Sequence, residues 1–202
     1  MTENTQWASL ATADSALSLV PPAIQLLARG EPVPLARLAS AAGRPLDEVD
    51  EVLHGMPRVD FDDDGNLLGL GLSMVPTAHR VRIDGLELFT WCATDAVMLP
   101  VLLGAPVIVA STCPATGNPI QLTATPAGVG AATPAETVVS EVAPTADCTD
   151  IRTTCCDQGH FFAGPAAAET WRRAHPQGHV RPVAEAFKIG RARAQELGWA
   201  RS

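Results

Sequence analysis

The stretch Leu46-Asp-Glu-Val-Asp-Glu-Val-Leu-His-Gly-Met56, then Val59-Asp-Phe61, Asp62-Asp-Asp-Gly-Asn66 and Leu67-Leu-Gly-Leu-Gly-Leu72, decides the reading of the fold. In its first part Leu46, Val49, Val52 and Leu53 recur at helical spacing, and Asp47 and Glu48 suit the positive end of a helix dipole. The Asp/Gly/Asn cluster is a turn signal between two short apolar runs, the pattern of a β-hairpin. Upstream, Pro34-Leu-Ala-Arg-Leu-Ala-Ser-Ala-Ala-Gly43 reads as a short helix stopped by its glycine. Further upstream Leu17, Val20, Ile24 and Leu27 share one helical face, which Pro21 and Pro22 are expected to divide into two helices. Helix, helix, turn, helix, hairpin is a winged-helix order. Such a module often reads DNA, but here the would-be recognition helix carries Asp47, Glu48, Asp50 and Glu51. Four carboxylates facing phosphates repel. The module is therefore read as structural or substrate-covering.

Downstream the pattern changes. Arg80–Phe89 alternates like one strand, and Trp91–Leu103 is an apolar stretch of helical length that Pro100 ends or kinks. Val107–Ala110, Gln121–Thr125, Thr137–Val142 and His160–Phe162 read as further strands, and Pro165–His175 and Pro182–Leu197 as helices. Thr123–Ala135 has loop composition. The expected class is α+β: a winged-helix-like module over residues 1–79, then a core over 80–202 of mixed or antiparallel sheet with flanking helices.

Composition narrows the function. Of 202 residues, 47% are hydrophobic and 18% charged, which suits a packed domain; with no Tyr and 4% aromatics its core must be aliphatic. The net charge of −8 argues against nucleic acid as a partner. Arg191, Arg193 and Arg201 near the C-terminus are read as a solvated helix face. The first 20 residues lack a basic segment, and the apolar run from Ala16 to Ala28 is too short to span a bilayer. The expectation is a soluble cytoplasmic protein with no membrane partner. Five cysteines, an odd number, then favour reduced thiols over a disulfide framework.

Two thiol motifs carry chemistry. In Trp91-Cys92-Ala-Thr-Asp95 the Cys and Asp are three residues apart, so on a helix both can touch one small substrate. A first-turn cysteine would also gain from the helix dipole. A buried small Cys beside a capping-turn Asp gives the same pattern. In Thr154-Cys155-Cys156-Asp-Gln-Gly-His160 the vicinal side chains diverge, so one can face a pocket while the other packs. Cys113, in a turn-like Ser-Thr-Cys-Pro-Ala-Thr-Gly117, reads as a structural thiol, and Cys148 has no assigned role. The spacing lacks a zinc knuckle; a scattered zinc site from Cys92, Cys113, Cys155 and His160 has no specific signal.

These motifs together resemble the organomercurial (alkylmercury) lyases. The resemblance is carried by Leu88-Phe-Thr-Trp-Cys92-Ala-Thr-Asp95-Ala-Val-Met-Leu-Pro100, by Ser111-Thr-Cys113-Pro-Ala-Thr-Gly117 and by Cys155-Cys156 with His160-Phe-Phe162. Leu35–Leu72, with Asp64-Gly-Asn66 and Gly69-Leu-Gly71, also fits, and Glu185-Ala-Phe187 fits more loosely. The chain departs from the family between Asp157 and Gly159 and at its extreme N-terminus, changes that bear on substrate range. The resemblance implies Cys92 and Cys155 as the essential cysteines and Asp95 as the essential acid; these three would also hold the organomercurial or its Hg(II) product. It makes Cys113 structural and Cys156 dispensable. It further implies a winged-helix-like module joined to a sheet-and-helix core, and protonolysis of the carbon–mercury bond without an organic cofactor. External thiol would be needed for turnover, small thiols or a mercuric reductase would accept Hg(II), and the expected state is a monomer. An Asp carboxyl must be raised from about 3.9 to serve as a proton carrier at neutral pH. Asp95 is therefore expected in an apolar pocket walled by its own helix and Trp91. The alternatives are a non-catalytic soft-metal binding or sensing protein and a winged-helix regulator. A retained Asp95 argues against the first, since storage needs no proton donor.

Overall fold

The computed structural model describes residues 16–144, 148 and 150–200. A 3₁₀ turn, Ala16–Leu19, leads into helix α1 (Val20–Leu27). Pro21 and Pro22 mark that junction, in the first turn of α1, where a missing N–H breaks no hydrogen bond. Helix α2 (Leu35–Ala42) ends at Gly43, whose φ of 64° is the left-handed C-terminal stop that glycine adopts without strain. Helix α3 (Leu46–Gly55) buries Val49 and Leu53 and leaves Asp47, Glu48, Asp50 and Glu51 exposed. Strands β1 (Asp60–Phe61) and β2 (Leu67–Leu70) form the hairpin. Its turn is tied by Asp62, whose carboxylate accepts from the backbone N–H groups of Asp64 and Asn66 and from the Asn66 side chain.

The hairpin opens a larger sheet. Strands β3 (Leu72–Ser73), β4 (His79–Ile83), β5 (Leu86–Thr90), β6 (Val107–Thr112), β7 (Pro119–Thr125) and β8 (Gly128–Val129) follow, in the order β1-β2-β3-β5-β4-β6-β7-β8. Every pairing among the described residues is antiparallel. The single strand expected over Arg80–Phe89 is instead two, β4 and β5, folded about Asp84-Gly85. Both turn residues have positive φ, 49° and 85°, the requirement of a tight hairpin turn. The loop expected over Thr123–Ala135 begins inside β7 and contains β8, and Thr133 bridges back to Gln121.

A second sheet holds β9 (Val138–Glu141) between β10 (Phe161–Phe162) and β11 (His179–Pro182). The remaining helices are α4 (Ala93–Leu103), the short α5 (Ile151–Thr154), α6 (Glu169–Ala174) and α7 (Val183–Glu196). Pro165–Ala168 are thus not helical, and α6 is about half the length its sequence pattern suggests. Pro100 does not end α4, which continues to Leu103.

Helix α4 is the central element. Ala93 and Ala96–Leu102 are all buried, which explains why its sequence shows no polar face. It packs against α7, α1 and both sheets. Gly190 on α7 permits that packing, because a Cβ there would lie 2.7 Å from Met98 Cγ. Arg193, expected on a solvated face, is instead 3% exposed and ion-paired with Glu141 at 2.6 Å, while Arg191 is exposed. The side of α7 that carries Arg193 turns toward the core, and charge enters there only because a carboxylate meets it. Arg201 and the extreme N-terminus lie outside the described residues.

Candidate active site

Cys92 is the N-cap of α4, in extended conformation, and its Sγ accepts a hydrogen bond from the Asp95 N–H at 3.3 Å. A sulfur at this position meets the positive end of the helix. One turn on, the Asp95 carboxyl returns to the same face. Its Oδ2 is buried and has no hydrogen-bond partner.

The chain from Asp150 to Gly159 closes the site. Asp150 caps α5 by accepting from Thr153 N–H at 3.0 Å. Cys155 follows at the C-cap, and Cys156 begins a 3₁₀ turn, Cys156–Gln158. Ala93 N–H donates to Gly159 O at 2.9 Å, so the turn is stitched to the start of α4. Ser140 on β9 holds the same turn, donating to Gln158 O at 2.7 Å and accepting from His160 N–H at 2.9 Å. The approach is close: a Cβ at Gly159 would lie 2.8 Å from Cys92 Cβ.

Cys92, Asp95 and Cys156 come together, with ligand atoms all within 4.8 Å of one another. Cys155 is buried and lines the same pocket. Cys113 and His160 are outside the cluster, so the scattered zinc site has no geometric basis among the described residues. The pocket is mainly apolar, with Leu17, Val20, Leu70, Met98, Trp91 and Trp199 in its walls. Glu141 and Arg193 supply one polar edge.

Residues of the hairpin strap this arrangement down. Asp60 accepts from Trp91 Nε1 at 2.9 Å, from Ser73 Oγ at 2.8 Å and, through its other oxygen, from Arg152 at 2.7 Å. Arg152 also lies over the Trp91 ring, 4.5 Å from its centroid, and donates to Arg58 O. Arg58 in turn pairs with Asp157 and donates to Thr153 Oγ1. Neither Asp60 nor Arg152 was visible as a site residue in the sequence, since 92 positions separate them. The one local signal was Arg152, three positions before Cys155.

Charge is held back at every thiol in the pocket. The Cys92 thiol is raised well above its ordinary value by its hydrogen bond to Cys156, then by burial and the nearby Asp95 charge. The same hydrogen bond lowers Cys156, but burial and the Asp95 charge outweigh it and the net shift is upward. Burial raises Cys155 too. Asp95 is pushed up to about 6, chiefly by burial, against hydrogen bonds from Cys92 that favour its charged form. That agrees with the perturbed carboxyl expected from the sequence. The resting site is thus a set of protonated thiols beside a carboxyl that changes charge near neutrality.

The family profile described as alkylmercury lyase matches residues 72–195, and the one described as the helix-turn-helix domain of alkylmercury lyase matches residues 5–71. The chain belongs to the alkylmercury lyase family. An alkylmercury lyase of Staphylococcus epidermidis is 42% identical over 180 residues, covering 88% of this chain and 83% of that protein. One of Streptomyces lividans is 44% identical over 176 residues, covering 87% and 81%. A solved structure described as the mercury-bound form of MerB2 superposes with a TM-score of 0.79 at 27% identity, over 98% of this chain and 99% of that one. Family and fold therefore agree with the resemblance carried by the three cysteine motifs. No helix among the described residues is long and apolar enough to cross a membrane.

Proposed function

We propose that this chain is an organomercurial lyase that cleaves carbon–mercury bonds by protonolysis, with Cys92, Asp95 and a thiol of the Cys155-Cys156 pair as its catalytic groups. The observation that carries the reading is the buried, unpartnered Asp95 Oδ2 beside thiols on the wall of an apolar pocket. A soft-metal store needs the thiols but gains nothing from a buried carboxyl with one oxygen left unpartnered, which is costly to bury.

The chemistry follows from the groups present. A substrate R–Hg–SR′ exchanges its thiol for Cys92, and R′SH leaves with the Cys92 proton. Thiolate is the softest ligand that a side chain offers to mercury. The second cysteine gives its proton to Asp95 and its sulfur to mercury. The added thiolate pushes electron density onto the mercury-bound carbon. Asp95 then passes the proton to that carbon, R–H departs, and Hg(II) remains on two thiolates. Burial aids the transfer by keeping the Asp95 proton near balance with its surroundings. The apolar walls suit alkyl and aryl groups, and no organic cofactor enters this scheme.

The family resemblance assigns the second thiol to Cys155. The 4.8 Å cluster favours Cys156. Hydrocarbon release from phenylmercury or methylmercury in excess thiol separates these, with Cys92→Ser, Asp95→Ala, Cys155→Ser, Cys156→Ser and Cys113→Ser run beside wild type. Loss is expected for the first two and for one of the vicinal pair, and retention for a folded Cys113→Ser. Mercury binding by wild type without hydrocarbon release would leave a soft-metal binder.

Residues 1–79 act in this reading as a substrate-covering module and residues 80–202 as the catalytic core. Small thiols or a mercuric reductase remove Hg(II), a monomer suffices for the chemistry, and the need for reduced thiols suits the cytoplasm.

A further inference from the structure

The cleavage scheme needs a second thiol at mercury, and the two adjacent cysteines are not equally placed to supply it. Cys156 stands in the cluster with Cys92 and Asp95, while Cys155 lies outside that cluster on the same pocket wall. Cys156 opens the 3₁₀ turn Cys156–Gln158 and Cys155 is its N-cap. Successive residues of such a turn are rotated by about 120°, so a slip of one position would carry Cys156 out of the cluster. The ion pair of Asp157 with Arg58 is exposed, and such pairs hold geometry weakly. A buried contact must therefore fix the phase of the turn.

Ser140, on the middle strand of the second sheet, is fully buried and reaches the far end of the turn. Its hydroxyl donates to Gln158 O and accepts from His160 N–H, and its own N–H donates to His160 O at 2.9 Å. These hydrogen bonds bracket Gly159, which is where the turn meets the first thiol. The Gly159 N–H donates to Cys156 O at 2.9 Å, its carbonyl accepts from Ala93 N–H, and a Cβ on it would lie 3.4 Å from Cys92 Sγ. The register of Gly159 against Ser140 thus sets where Cys156 stands relative to the Cys92 sulfur. Without the hydroxyl, two backbone groups of the turn lose their partner, and the turn gains by shifting to recover one.

We infer that Ser140 is a positioning residue of the lyase: its hydroxyl fixes the phase of the Cys156–Gln158 turn so that Cys156, not Cys155, is the second thiol at mercury. The inference rests on the lyase reading above and names the thiol which that reading leaves open. Cys92 captures the substrate before the second thiol is needed, so loss of the hydroxyl acts on cleavage rather than on capture.

The test uses the full chain and dibromobimane, which bridges only neighbouring thiols, with bridged peptides identified by mass spectrometry. In wild type the bridge should join Cys92 to Cys156. In Ser140→Ala that bridge should fall several-fold, with Cys155 taking its share. The kcat for benzene release from phenylmercury should drop about ten-fold or more while KM changes little. Val139→Ala weakens the same strand but keeps the hydroxyl, so its bridge and kcat should match wild type. Ser140→Thr should keep the wild-type bridge and Ser140→Val, its match in shape, should lose it; this pair decides the matter if Ser140→Ala does not fold. A bridge from Cys92 to Cys155 in wild type, an unchanged bridge in the variants lacking the hydroxyl, or the same loss in Val139→Ala would overturn the inference. Bridging needs no cleavage, so failure of the lyase reading appears separately, as absence of benzene release by wild type.

Discussion

Replacing Asp95 by Asn is expected to end hydrocarbon release and at the same time to stabilise the protein. The carboxyl moves from 3.8 to about 6 on folding, largely through burial. At about 1.4 kcal/mol per pH unit, carrying that charge at neutral pH destabilises the fold by about 3 kcal/mol. The sign follows from proton counting. Between pH 4 and 6 the folded protein holds a proton on Asp95 that the unfolded chain has released, so stability falls as pH rises through this window and levels off above it. Asn carries no such charge. Its amide inherits the orphaned Oδ2 position, which takes back about 1 kcal/mol and leaves a net gain of about 2 kcal/mol at pH 7.5. The assay is urea unfolding of both proteins between pH 4 and 8. The advantage of Asn should grow by about 3 kcal/mol across that range, whatever its offset at acid pH. A gap that does not change with pH would refute the argument, because it would mean that Asp95 titrates alike in the folded and unfolded states.

Other outcomes follow from the same geometry. The cleavage rate should rise with pH through about 6, since Asp95 must be ionised to take a thiol proton; a pH–rate profile without an inflection there would contradict this. Gly159→Ala, whose Cβ would lie 2.8 Å from Cys92 Cβ, should displace the 3₁₀ turn, destabilise by about 1–3 kcal/mol and lower cleavage, as read by thermal unfolding and benzene release. Asp60→Ala removes the acceptor shared by Arg152, Trp91 and Ser73. Stranding a mostly buried guanidinium should destabilise by about 3 kcal/mol in urea unfolding, and Asp60→Asn, which keeps an acceptor, by less.

The sequence by itself determined what depends on neighbours along the chain. Helical periodicity, a glycine stop and an Asp/Gly/Asn turn are local energies, so α2, α3 and the first hairpin were legible. So was the pairing of Cys92 with Asp95, because three residues on a helix bring two side chains to one face. The Asp84-Gly85 hairpin was legible too, but alternation across Arg80–Phe89 masked it. Local pattern could not say which vicinal cysteine meets Cys92. That is a question of rotational phase, and it is decided by where α5 stops and by the Ser140 and Ala93 hydrogen bonds that hold the turn after it. Nor could it say that Arg193 lies inside or that Asp60 gathers Arg152 and Trp91. Each of these joins different elements of structure. Such contacts exist only once α4 is buried between the sheets and α7, because packing, not propensity, brings those side chains together.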